Sequence, residues 1–114
     1  MNELEEVRKF VMGVSFAAHL PELEEYLTLA KGYAQRMGEL ANEAEQVFTV
    51  RRGVAIQQIM RDEELTETMR KQLLESAVAG EKKILSDYKL ICHTLRMTIM
   101  GLMQAIKTRR EEPH

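Results

Sequence analysis

Any chemistry in this chain would have to come from three histidines, one cysteine and scattered carboxylates, and their spacing builds none of the usual sites. His19, His93 and His114 lie far apart, and Cys92 is the sole thiol. A zinc site takes ligands paired across one helical turn or a tight loop, and no HxxxH, CxxC or HExxH spacing occurs. No glycine-rich loop offers backbone N–H groups to a phosphate. Adjacent acids such as Glu24 and Glu25, Asp62 to Glu64, and Glu111 and Glu112 fall at expected turns or helix ends, where carboxylates stay solvated. Glu81 differs because it interrupts an apolar stripe. It is expected to pair with an Arg or Lys across a bundle, or to lie near the bundle's open end. The chain therefore reads as non-enzymatic, with no catalytic residue, metal ligand or cofactor expected.

Binding is the better-supported chemistry. Lys82, Lys89 and Arg96 recur every seven residues, Lys107, Arg109 and Arg110 follow, and Arg51 and Arg52 stand together earlier in the chain. On helices arrayed in an oligomer these bases would form a surface able to follow a phosphate backbone. No aromatic residue interleaves with the later bases, so stacking on nucleobases has little support. Beside the same column lie Leu90, His93, Met97 and Met100, with Gly101 next to them and Met103 beyond. Apolar residues thus nearly encircle the helix around residues 90–103. A helix apolar on every side is buried on every side, or it presents a partner-binding patch for which flexible methionine is well suited.

These residues need elements to carry them, and the hydrophobic spacing supplies helices. Leu23, Leu27, Ala30, Ala34, Met37, Ala41, Ala44 and Phe48 advance in steps of four and three, as do Leu85, Tyr88, Cys92, Leu95, Ile99, Leu102 and Ile106. Each series makes one stripe of an α-helix. Residues 22–112 contain no proline, the strongest helix breaker. Three helices are expected, over about 3–18, 22–60 and 67–109. The first presents Leu4, Val7, Val11, Val14 and Ala18 on one face. The segment before Pro21 should end it, and Pro21 should open the second helix with Glu22, Glu24 and Glu25 in its first turn. Tyr26, Tyr33, Leu40, Val47 and Val54 widen the second helix's apolar face, with a looser stretch expected at Gly53. Residues 61–67 should connect to the third helix, capped by Asp62 or Thr66. The polar tail ending in Pro113 and His114 is expected to fray.

The resulting fold class is all-α, a long antiparallel helical hairpin plus a short N-terminal helix, bundle-like or coiled-coil-like. Two helices of about 40 residues would run roughly 60 Å. A first helix less than half that length leaves apolar surface uncovered, so a homo-oligomer is expected. With 114 residues, one domain suffices. Net charge is −2, but residues 1–50 carry four bases against nine acids (−5) and residues 51–114 twelve against nine (+3). Such a chain is expected to pair its halves internally. A lone cysteine suits a reducing compartment, the acidic start MNELEEVRK is unlike an export signal, and no apolar run approaches the roughly 20 residues of a membrane span. A cytoplasmic protein without a membrane partner is expected.

Two segments resemble known families. Cys92-His93-Thr94-Leu95-Arg96-Met97 is similar to the core of histidine phosphotransfer domains, with His93, Leu95 and Arg96 matching and Met97 standing where that motif has glycine. That resemblance implies a phosphorelay through His93. The layout as a whole resembles phage recombination mediators of the UvsY type, through ANEAEQVFTVRRGVAI and through GEKKILSDYKLICHTLRMTIMGLMQAIKTRRE. It implies a small oligomeric helical protein that engages single-stranded DNA and helps load a RecA-like recombinase. Arg51, Arg52, Lys82, Lys89, Arg96, Lys107, Arg109 and Arg110 would then contact DNA, and Leu90, His93, Met97, Met100 and Met103 would form the oligomer or partner interface. A structural or adaptor bundle that binds only a protein is the remaining alternative.

Overall fold

The structure, a computed structural model, describes residues 2–112; Met1, Pro113 and His114 lie outside the described residues. Of the polar tail expected to fray, Arg109, Arg110 and Glu111 are instead helical, held by the ion pairs of the two arginines. All secondary structure among the described residues is α-helical: α1 (Glu3–Gly13), α2 (Leu20–Met60), α3 (Glu67–Ala77) and α4 (Ala79–Glu111). Among the described residues no helix is long and apolar enough to cross a membrane. The described residues divide into two compact units. One comprises residues up to Glu39 together with Lys89 onward, and the other Leu40–Tyr88.

In the first unit, α1 packs on the N-terminal half of α2 and the C-terminal part of α4. Asn2 starts α1 by accepting the Glu5 N–H at 2.9 Å, with Glu3, Glu5 and Glu6 placed where acids suit the positive helix end. The helix ends at Gly13, five residues earlier than its apolar spacing suggests, where Val14 turns to extended backbone. Val14 and Ala18 nevertheless reach the core, carried there by the connecting segment. Burial, not helical register, was the part of the pattern that mattered at those two positions. Leu23, Ala30, Leu102 and Ile106 form the buried centre, with Phe10, Leu27 and Ile99 among the side chains packed around it. Val7, Met37 and Leu95 are also fully buried. Phe10 meets the Tyr26 ring edge-on at 6.2 Å and the Tyr33 ring at 5.0 Å.

In the second unit, the C-terminal half of α2, α3 and the first turns of α4 come together. Helix α2 continues through Gly53 without a break, so the looser stretch expected there is absent. Asp62 accepts the Glu64 N–H at 3.1 Å within the connection, and Thr66 caps α3 by accepting the Met69 N–H at 3.2 Å. The helix expected over 67–109 is two helices. Val78 interrupts it at φ −112°, ψ 10°, with its N–H donating to Leu74 and Ser76 carbonyls. Glycine costs about 1 kcal/mol in a helix interior, and the restart at Ala79 moves Gly80 into a first turn. Val78 itself is buried, as are Ala55 and Leu85.

Candidate binding surfaces

On α4 in the first unit the core lies on one side, with Ile91, Leu95, Thr98, Leu102 and Ile106 buried. The opposite side carries the expected interface residues. Leu90, Met97, Met100 and Met103 are each more than half exposed, at 63%, 54%, 59% and 54%, and His93 is exposed between them. The helix has no carboxylate from Tyr88 to Arg110, so this surface is apolar and cationic at once. Lys89, Arg96 and Lys107 stand exposed along it. Gly101 is already covered, because the Phe16 ring lies where a Cβ would be, with its Cε1 2.7 Å from that point. The connector between α1 and α2 thus occupies one edge of the methionine surface.

The eight expected phosphate contacts are not equivalent. Arg109 donates to the carbonyls of Ala17 and Ala18 and pairs with Glu112 at 2.9 Å, so its guanidinium holds the α1–α2 connection. Arg110 pairs with Glu24 at 3.1 Å, and Arg51 pairs with Glu81 at 3.3 Å. The last of these supplies the cross-bundle partner that Glu81 requires. Arg52, Lys82, Lys89, Arg96 and Lys107 make no ion pair among the described residues.

Arg52 and Lys82 share a groove in the second unit with Lys71 and Lys83, two bases outside the seven-residue column. The signal for Lys71 was its spacing. Eleven residues, three helical turns, separate it from Lys82, whereas the seven-residue column stops at Glu75. The α3–α4 break interrupts the helix within that spacing, yet both side chains still line the same groove.

Titration behaviour sets apart two groups. A hydrogen bond and charge from Glu3 hold the Arg36 guanidinium above its ordinary value, with the two groups 3.0 Å apart. Burial pushes the Cys92 thiol up, and nearby Arg96 opposes the shift. Neither arrangement resembles an activated nucleophile or a proton-transfer pair. Among the described residues no three His, Cys, Asp or Glu side chains gather as a metal site. No family model matches the chain, nor does any curated protein or solved structure.

Proposed function

We propose that this chain is a non-enzymatic helical protein that self-associates through the outer side of α4 and binds other macromolecules as an assembly. The observation that carries the reading is the exposed row of Leu90, Met97, Met100 and Met103, opposite a fully buried Leu95 and Leu102. Several large apolar side chains exposed on one side of a helix favour an interaction site there.

A second copy of the chain suits that surface by charge. Lys89, Arg96 and Lys107 flank the methionines, which disfavours packing the surface on itself and favours an acidic counterpart. Residues 1–50 provide one, at −5. The internal pairing that this asymmetry suggests is sparse: of the six ion pairs among the described residues, only Arg110–Glu24 joins a base beyond residue 50 to an acid before it. Glu5, Glu6, Glu22 and Glu25 are exposed and make no ion pair among the described residues, so they are available to another molecule, in a contact between unlike surfaces.

In its most specific form this function is that of a recombination-mediator-like accessory factor contacting single-stranded DNA in the cytoplasm. Lys89, Arg96 and Lys107 support it, exposed on α4 and without ion pairs among the described residues. Anisotropy of a labelled single-stranded oligonucleotide, titrated at low and moderate salt, tests it directly. Saturable binding that weakens steeply with salt is the expected result. Flat anisotropy at both salts removes DNA and leaves a protein-binding adaptor. The relay reading has one supporting observation, the exposure of His93. Labelling by a phosphodonor that persists in His93→Gln would end it.

A further inference from the structure

The second unit contains a groove of about 650 Å³ at the α3–α4 break, within the range of roughly 300–1,000 Å³ usual for small-ligand sites. Arg52 reaches it from α2, Lys71 from α3, and Lys82 and Lys83 from the first turns of α4. Glu75 is the single carboxylate lining it. Lys83 is engaged by Asp87 at 3.1 Å, whereas Arg52, Lys71 and Lys82 have no ion-pair partner among the described residues. Like charges that line one groove raise each other's energy, and a bound anion reverses the sign of that interaction. The amino end of α4 adds its positive dipole at the same place.

The remaining lining gives the anion its second property. Phe48, Leu74 and Val78 supply apolar surface, with Val78 buried and the other two half-buried. A bare inorganic anion would leave that surface uncovered. An anion with an aromatic or apolar body covers it while its phosphate meets the cations. The cations come from three helices around one hollow and are not strung along a single element, which suits a compact ligand better than a running strand.

We infer that this groove binds a small organic phosphate, a phosphate ester carrying an aromatic body, with Arg52, Lys71 and Lys82 holding the phosphate and Phe48 contacting the body. The site shares no residue with the methionine surface.

The probe is N-methylanthraniloyl-ADP, followed by its fluorescence on titration with the full chain at low salt. Saturable binding is expected. Unlabelled ADP should displace the probe at lower concentration than either adenosine or pyrophosphate, because each of those offers only half of the recognition. Lys71→Glu and Lys82→Glu should each weaken binding at least tenfold with helicity retained by circular dichroism. Lys31→Glu, an exposed change in the other unit, should leave it unaltered. The milder Arg52→Gln and Lys71→Gln variants serve if a charge reversal disturbs folding. Absence of saturable binding up to millimolar probe overturns the inference, as does equal binding by the groove variants. Displacement by a thymidine oligonucleotide but not by ADP overturns it too, and would make the groove part of a nucleic-acid track.

Discussion

Arg109 donates from Nε to the carbonyl of Ala18 at 3.4 Å, across 91 residues of chain, while its Nη2 reaches Ala17 at 3.2 Å. One guanidinium therefore ties the end of α4 to the non-helical connection between α1 and α2. That connection has few backbone hydrogen bonds of its own, the Ala18 N–H to the Ser15 carbonyl being one of them. Arg109→Lys should lose the planar two-carbonyl geometry and lower stability by about 1 kcal/mol, read from the denaturation midpoint. Oligonucleotide binding should fall much less than it does for Arg96→Gln. The reverse order would mean that Arg109 serves a ligand after all.

The two sides of α4 should answer very differently to truncation. Leu102 is fully buried in the first unit's core, and Leu102→Ala should cost about 2–5 kcal/mol. Leu90 is 63% exposed, and Leu90→Ala should change stability by no more than about 0.5 kcal/mol. Similar losses at the two positions would show that Leu90 is buried in the assembled state, which a concentration-dependent melting curve would reveal independently.

Self-association should depend on the methionine row. The double variant Met97→Glu, Met100→Glu should reduce the mass measured by light scattering while far-ultraviolet dichroism stays nearly constant. Raising salt from about 0.05 to 0.5 M should weaken the contact between unlike charges, since screening shortens the reach of exposed pairs. An unchanged mass in the double variant would sink the proposed interface.

Gly53 lies exposed within α2, and a Cβ there meets nothing within 4 Å. Gly53→Ala should therefore stabilise the chain by roughly 0.5–1 kcal/mol through lower backbone entropy in the unfolded state. Gly101→Ala should gain less, because Phe16 must first move aside. Comparing the two melting temperatures separates helix propensity from local packing.

The Cys92 thiol, pushed up by burial against the opposing pull of Arg96, should react slowly with a disulfide reagent near neutral pH. Its rate should rise at higher pH than in the denatured chain, and Arg96→Gln should delay that rise further. Below the ordinary thiol range both states keep the proton and pH has no effect through this group. As pH climbs, the unfolded chain ionises first, so the fold loses stability, and Cys92→Ala should remove that alkaline slope.

Sequence periodicity alone determined the helical class, the course of α2 and the buried stripe of α4 down to Leu95 and Leu102. Those features are set by residues three and four apart, within reach of any reader of the chain. Glu81's need for a partner was equally visible, since a carboxylate on an apolar stripe must be answered. The tertiary structure alone decided that the partner is Arg51, that Arg109 and Arg110 are engaged by Ala17, Ala18 and Glu24, and that Lys71 joins Arg52 and Lys82 at one groove. It also decided the ends: α1 stops at Gly13 though its apolar residues continue, and α3 gives way to α4 at a buried Val78. Those choices pair groups up to 92 residues apart or balance helix propagation against packing. Local spacing carries neither quantity.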